Sequence, residues 1–166
     1  MTSVRPARLA DAQAMARVYN EGVEERQATL ETQRRSAADF AKRIGRAGRW
    51  PTIVAEDDGR LLGWAAVGEY NPRKCYRGIG EATIYVERAA RRRGIGRLLL
   101  EELAAAAERA GYWELIGRLF PENEPSRALL RSCGFSEVGV HRRHGRLDGE
   151  WRDVLVVERL LGEAAG

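Results

Sequence analysis

A run of arginines followed by two closely spaced glycines is the part of the sequence best suited to binding an anion. Gly94 and Gly96 flank a single residue and precede a long apolar pattern with helical spacing. Glycine lets the backbone approach a bulky phosphate, and the first N–H groups of a helix are unpaired and favour negative charge. The basic residues that would steer an anion to this turn are Arg88, Arg91, Arg92, Arg93 and Arg97.

Other interpretations of this turn stay open on the residues alone. A P-loop needs Gly-x-x-x-x-Gly-Lys-Ser/Thr and a dinucleotide fold needs three spaced glycines, and neither pattern is present. A bare Gly-x-Gly also fits an ordinary helix start with solvated arginines. A nucleic-acid-binding module using Arg88 to Arg97 would show strongly salt-dependent binding. The run has no interleaved aromatic residues, which disfavours that alternative.

The elements that must position the turn follow from hydrophobic periodicity and turn residues. Asp57-Asp58-Gly59 predicts a tight hairpin turn, and residues 68–80 are predicted to form a loop. Because the chain has no repeat, linker or low-complexity tract, residues 1–166 are predicted to be one mixed α/β domain. The first predicted helix begins after an N-cap at Asp11, and the other three span 36–45, 94–110 and 123–132. The predicted strands span 4–6, 52–55, 61–67, 81–86, 115–120, 136–142 and 151–160.

Composition excludes several classes of protein. The 166 residues are 44% apolar and 31% charged, with no apolar run near the ~20 residues of a membrane span. The two cysteines, Cys75 and Cys133, lack metal-like spacing and predict neither a disulfide framework nor a zinc site. The first residues lack a secretory pattern, so we expect a cytoplasmic protein. The net charge of +4 is a weak indication of an anionic ligand.

The turn and the strand before it resemble a known enzyme family. Arg91-x-x-Gly94-x-Gly96 after a central strand matches the Arg/Gln-x-x-Gly-x-Gly/Ala signature of GNAT-superfamily N-acetyltransferases. The implied structure is a single-domain GNAT fold, a mixed, mostly antiparallel twisted sheet with helices on both faces. Over almost the whole chain the sequence is similar to phosphinothricin-type N-acetyltransferases, including arsinothricin-resistance enzymes, through Val4-Arg5-Pro6-Ala7, Tyr19-Asn20, Glu81–Val86, Asn123-Glu124-Pro125-Ser126, Cys133-Gly134-Phe135 and Gly149–Asp153.

The resemblance implies acetyl-CoA as cosubstrate, with its pyrophosphate on the turn and its pantetheine arm beside the preceding strand. It also implies a small-molecule amine as acceptor, a detoxification role and a homodimer. From the residues themselves we expect no nucleic acid, membrane or metal to be involved. The cofactor-binding residues that it implies are Ile84, Tyr85, Val86, Arg91, Arg92, Arg93, Gly94, Ile95, Gly96, Arg97, Asn123 and Ser126.

Acetyl transfer to an amine needs a neutral nitrogen, yet an alkyl ammonium with a pKa near ~10 is mostly protonated at neutral pH. Glu81 matches the glutamate regarded as the general base of phosphinothricin-type enzymes, whereas from composition alone it would be a solvated strand-end charge. A backbone N–H near Tyr85 and Val86 could stabilise the oxyanion. Leu130 stands where many family members carry the Tyr or His that protonates the leaving thiolate, so Tyr85 is a candidate substitute.

The loop at residues 70–77 is the predicted acceptor-selecting segment, because a guanidinium pairs with carboxylate or phosphinate oxygens in a bidentate manner. Asn71 replaces a family lysine and Leu30 a family aromatic, so the acceptor stays open. Polyamines, aminoglycosides and protein amines are alternatives. The resemblance implies that the substrate-binding residues are Leu30, Arg73, Tyr76, Tyr85 and Trp151.

Other reactive residue types have structural explanations. Cys133 lies at the end of a half-apolar helix and is predicted to fill the core rather than to carry an acetyl group. His141-x-x-His144 is surrounded by arginines that would repel a metal ion. Three tryptophans lie in strand patterns and are predicted to be core aromatics, namely Trp64, Trp113 and Trp151.

Overall fold

Strands from the whole length of the chain assemble into one sheet. The computed structural model describes residues 1–166, and its seven strands lie in the order β1-β2-β3-β4-β5-β7-β6. Neighbouring strands are antiparallel except β4 and β5, which are parallel. This confirms the predicted mixed, mostly antiparallel sheet. The strands are β1 (Ser3–Pro6), β2 (Thr52–Asp57), β3 (Arg60–Glu69), β4 (Ile79–Val86), β5 (Glu114–Leu119), β6 (Ser136–Leu147) and β7 (Glu150–Leu160).

Helices cover both faces of the sheet, as predicted. They are α1 (Ala12–Glu25), α2 (Ala37–Ile44), α3 (Ile95–Arg109) and α4 (Glu124–Ser132). Alternate residues of a strand point to opposite faces, so Trp64 packs with α1 and α2 while its neighbour Ala65 packs with α3. We call these the α1–α2 face and the α3–α4 face. None of the helices combines the length and the apolar character needed to cross a membrane.

Two predicted boundaries are wrong, one in the central strand β4 and one in the edge strand β6. β4 starts at Ile79, inside the predicted loop 68–80, because Gly80 pairs with Glu69 on β3 and with Leu115 on β5. β6 continues past the predicted end at Arg142 to Leu147, where only a short turn precedes β7. Glycine and charged residues disfavour strands locally, but pairing with neighbouring strands overrides that preference.

The carboxylate of Asp11 does not cap α1. It accepts hydrogen bonds from the Arg8 backbone at 2.7 Å and from the Arg5 guanidinium at 2.8 and 3.0 Å. Arg5 also pairs with Glu56 at 2.6 Å. The Arg5 hydrogen bond lowers the pKa of Asp11 below its ordinary value. Arg5 therefore ties β1 to the start of α1 through Asp11 and to β2 through Glu56.

The parallel pair of strands separates soon after it forms. β4 pairs with β5 only from Ile79 to Glu81, although its pairing with β3 continues to Val86. β5 turns instead to β7, with which it pairs along its whole length. A gap therefore opens in the sheet beyond Glu81, where one edge of β4 has no strand partner.

Candidate active site

A cavity of ≈ 550 Å³ lies at the gap between β4 and β5. This volume suits a small molecule. Side chains from both faces of the sheet line it, so the gap connects the two faces at this point. The α1–α2 face contributes an aromatic cluster of Tyr19, Phe40, Trp64 and Tyr85. The α3–α4 face contributes three leucines, namely Leu100, Leu129 and Leu130.

Glu81 lies at the last position of β4 that pairs with β5, and it lines this cavity. Its side chain is half-buried, and Arg118 of β5 donates a hydrogen bond to its Oε2 atom. Its other oxygen, Oε1, has no hydrogen-bond partner. The ion pair therefore orients the carboxylate and leaves one oxygen able to accept a proton, directly or through a water molecule.

Tyr85 belongs to the aromatic cluster on the α1–α2 face. Its ring lies 5.0 Å from that of Tyr19, edge to face, and stacks on Trp64 at 5.2 Å. Burial raises the pKa of the Tyr85 phenol far above its ordinary value, so the hydroxyl stays neutral and can donate a hydrogen bond. Leu130 packs in the core of the α3–α4 face. Tyr85, the candidate proton donor in place of the family Tyr or His at position 130, thus does not lie on the face that Leu130 occupies.

The glycine turn has the shape of an anion cradle. Gly94 caps α3 in the left-handed conformation, with φ of 79°, and a Cβ there would meet no atom within 4 Å. Ile95 is the first residue of α3, so the unpaired N–H groups of the helix start directly after the turn. Arg92 and Arg97 are exposed and form no ion pair, and Arg93 reaches Asp57 only at 3.9 Å. These residues fit a pyrophosphate group.

Arg91 is engaged within the protein. Its guanidinium donates to both carboxylate oxygens of Glu25 on α1, at 2.9 and 3.1 Å, and to the Val86 carbonyl at 3.2 Å. Arg88 pairs with the same carboxylate at 3.0 Å. Burial acts to raise the pKa of Glu25, but the hydrogen bonds from Arg91 and Arg88 outweigh burial and lower this pKa. Arg91 therefore positions the turn against α1, and sequence analysis missed Glu25 because no motif marks it.

The start of α4 closes the cavity on its other side. The Asn123 side chain accepts from the Ser126 backbone at 3.3 Å and donates to the Gln27 carbonyl at 3.3 Å. Both Asn123 and Ser126 line the cavity with Ile84, as the resemblance implies for the pantetheine arm. A Cβ on Gly96 would lie 2.8 Å from Leu129, so this glycine also allows α3 to pack against α4.

The segment 26–36, which we call the 26–36 loop, borders the cavity through Leu30. The buried Asn20 side chain holds the loop by donating to the Arg35 carbonyl at 3.0 Å and accepting from the Arg35 N–H at 2.9 Å. Arg26 pairs with Asp148 at 3.1 Å, which ties the loop to the turn between β6 and β7. Sequence analysis missed other lining residues, namely Thr29, Arg35, Arg43 and Arg118.

Three predicted substrate-binding residues do not line the cavity of the single chain. The Arg73 guanidinium lies 5.8 Å from the centre of the Tyr76 ring. Trp151 is 51% exposed, under the Arg146 guanidinium at 4.2 Å. Contrary to the prediction, Trp151 and Trp113 are exposed and belong to neither hydrophobic core: Trp151 lies at the start of β7 under a charged side chain, and Trp113 precedes β5 and packs over Gly78. Trp64 is buried as predicted.

The histidine pair lies beside the cavity. The His141 and His144 rings stack with centres 4.4 Å apart, and only His144 lines the cavity. The structure contains no group of three or more His, Cys, Asp or Glu side chains arranged to hold a metal ion.

Cys133 is buried in the core of the α3–α4 face, as predicted, and does not line the cavity. Burial raises the pKa of its thiol, which disfavours the reactive thiolate. We expect iodoacetamide to label Cys75, which is exposed, and to spare Cys133 in the native protein. Cys133→Ala should keep turnover within about threefold of the unmodified protein, since the thiol takes no part in chemistry. Isolation of an acetylated Cys133 peptide during turnover would contradict this expectation.

Comparisons with known proteins agree with this geometry. Residues 13–135 match the model of the Acetyltransferase (GNAT) family. A phosphinothricin N-acetyltransferase of Streptomyces viridochromogenes is 29% identical over 91% of this chain and 83% of its own length. An L-methionine sulfoximine/L-methionine sulfone acetyltransferase of Salmonella typhimurium is 29% identical over 98% of this chain and 96% of its own.

A solved structure shares the whole architecture. The crystal structure of a GNAT superfamily phosphinothricin acetyltransferase from Sinorhizobium meliloti, in complex with acetyl-CoA, superposes with a TM-score of 0.91. The two sequences are 32% identical, and the match covers 98% of this chain and 89% of the other. The predicted family resemblance is thereby confirmed.

Proposed function

The chain belongs to the GNAT acetyltransferase family, and from that premise we propose that it acetylates the amine of a small acidic amino-acid-like compound. Acetyl-CoA is the cosubstrate and supplies the acetyl group as an activated thioester. The observation that carries the proposal is the Glu81 carboxylate, oriented by Arg118 with one free oxygen at a cavity of suitable size.

The chain's own residues can hold the two ends of the cosubstrate. Arg92, Arg97 and the N–H groups after Gly94 would bind the pyrophosphate. The unpaired edge of β4 would accept the pantetheine arm, beside Asn123 and Ser126. Backbone N–H groups at this edge would also stabilise the developing oxyanion.

Glu81 would remove the proton that makes the acceptor amine non-nucleophilic. The aliphatic side chain of Leu130 cannot donate a proton, so water would protonate the departing thiolate. A thiol with a pKa near ~8.5 is a tolerable leaving group. The buried Tyr85 hydroxyl, held neutral, would orient the acceptor instead.

The similarity to enzymes for phosphinothricin and methionine sulfoximine supports an amino-acid-like acceptor. Phosphinothricin, arsinothricin and methionine sulfoximine are the candidates, and their acetylation would confer resistance. The Arg73 and Tyr76 loop stays a prediction for acceptor binding, as do the homodimer and the cytoplasmic location.

A thiol-release assay over a panel of amines tests this proposal. We expect phosphinothricin or methionine sulfoximine to give a kcat/KM at least about tenfold above those of spermidine, an aminoglycoside and a lysine-containing peptide, because charge complementarity favours the acidic acceptors. Best turnover with spermidine or an aminoglycoside would contradict the acceptor class and leave the family assignment standing.

A further inference from the structure

Two arginines on the α1–α2 side of the cavity have no acidic partner. Arg43 lies on α2 and Arg35 on the 26–36 loop, and both line the cavity with Tyr19 and Phe40. We infer that Arg35 and Arg43 bind the carboxylate of the amino-acid acceptor. The inference rests on the proposed function and adds the residues that select the acceptor.

Neither guanidinium is neutralised within the protein. The side chains of Arg35 and Arg43 form no ion pair, and the Arg35 guanidinium carbon lies 5.4 Å from the centre of the Tyr19 ring. Other arginines near the cavity are paired, as Arg118 is with Glu81 and Arg91 with Glu25. Of the three arginines that line the cavity, only Arg118 therefore has an acidic partner.

The position of Arg43 makes this lack of a partner costly. Its side chain is half-buried, and burial together with the charge of Arg35 lowers its pKa. A partly desolvated cation beside a second cation gains more from a bound anion than a solvated cation does. An anion between the two guanidiniums would relieve both the desolvation and the repulsion.

Nearby carboxylates do not fill this role. Glu31 lines the same cavity but forms no ion pair with either arginine. Asp39 is on α2, and its carboxylate accepts from the Ser36 N–H at 2.8 Å and from the Ser36 hydroxyl at 2.9 Å, where it completes the helix cap. The place next to Arg35 and Arg43 is thus open to an external anion.

A carboxylate is the anion that all amino-acid acceptors share, whereas a phosphinate is present in only some of them. Guanidinium groups bind carboxylate oxygens with two parallel hydrogen bonds. Arg43 and Glu81 line the same cavity, and in this proposal the acceptor presents its carboxylate to the arginines and its amine to Glu81. The aromatic rings of Tyr19 and Tyr85 lie between α1 and β4 and would bound the acceptor.

The test compares L-methionine sulfone with its neutral carboxamide, in which only the acid is removed. Arg43→Gln and Arg35→Gln are compared with Arg46→Gln, which makes the same change at an exposed arginine over Trp50, outside the cavity. Arg43→Lys restores the charge without the planar fork. Calorimetric titration with methionine sulfone alone measures binding without turnover.

We expect Arg43→Gln to raise the KM for methionine sulfone by ~10²-fold with little change in kcat, and to abolish the preference for the acid over the amide. Arg43→Lys should recover part of the loss, and Arg46→Gln should behave as the unmodified protein. Stabilisation by CoA, unchanged in every variant, would show that the variants fold.

The inference is wrong if Arg43→Gln and Arg35→Gln keep the preference for the acid, or if Arg73→Gln alone removes it. The second result would place the carboxylate at the 70–77 loop. Failure of the proposed function looks different: the unmodified protein would then release no thiol with methionine sulfone or phosphinothricin.

Discussion

Gly94→Val is expected to abolish stabilisation of the protein by acetyl-CoA. A ligand at ~100 times its Kd stabilises the folded state by about 2.7 kcal/mol, which a thermal unfolding experiment resolves easily. Gly94 has a φ of 79° and open space where its Cβ would be. Valine would occupy the space that the phosphate needs and would also move the backbone away from the left-handed region.

Gly111→Val is the matched control. Gly111 follows α3, has a φ of 91° and likewise has no atom within 4 Å of a Cβ. Both variants should lose about 1–3 kcal/mol of stability through backbone strain. Only Gly94→Val should lose the response to acetyl-CoA. An equal shift in both variants would show that the turn does not hold the cosubstrate.

Glu81→Gln should lower turnover by ~10²-fold or more while acetyl-CoA binding survives. Glutamine keeps the shape and the hydrogen-bonding capacity toward Arg118 but cannot accept a proton at neutral pH. Steady-state kinetics with methionine sulfoximine measure the loss, and the ligand-induced stabilisation measures cosubstrate binding.

The control for this substitution is Glu69→Gln. Glu69 is exposed at the end of β3, outside the cavity. Its substitution removes the same charge from a strand that neighbours β4. It should retain turnover within about twofold, because distant surface charges have small effects. Turnover of Glu81→Gln near that of the unmodified protein, with chemistry shown to limit the rate, would remove Glu81 from the mechanism.

Local patterns in the sequence predicted the framework of the site. The β2–β3 hairpin forms with positive φ at Asp58 and Gly59, as its residues require. The order of strand, glycine turn and helix from Glu81 to Arg109 also follows from short-range periodicity and turn chemistry. Family resemblance added Glu81 and Asn123, which line the cavity.

The pairings between distant segments could not be predicted in the same way. Arg91 with Glu25 and Arg118 with Glu81 join residues far apart in the chain. The gap beside Glu81 depends on where β5 leaves β4 to pair with β7. Burial of a strand residue also depends on what covers its face, and Trp151 on β7 is exposed; Trp113 is exposed because it precedes β5 instead of lying in it. Alternation alone does not contain that information.

The central claim is that this chain moves an acetyl group to the nitrogen of an amino-acid acceptor at the Glu81 cavity. The most direct measurement follows isotope-labelled acetyl from acetyl-CoA into methionine sulfoximine or phosphinothricin by mass spectrometry of the product. The expected result is an N-acetylated product formed in step with thiol release by the unmodified protein, and at least ~10²-fold more slowly by Glu81→Gln. Thiol release without a labelled N-acetyl product, or an unaltered rate in Glu81→Gln, would contradict the claim.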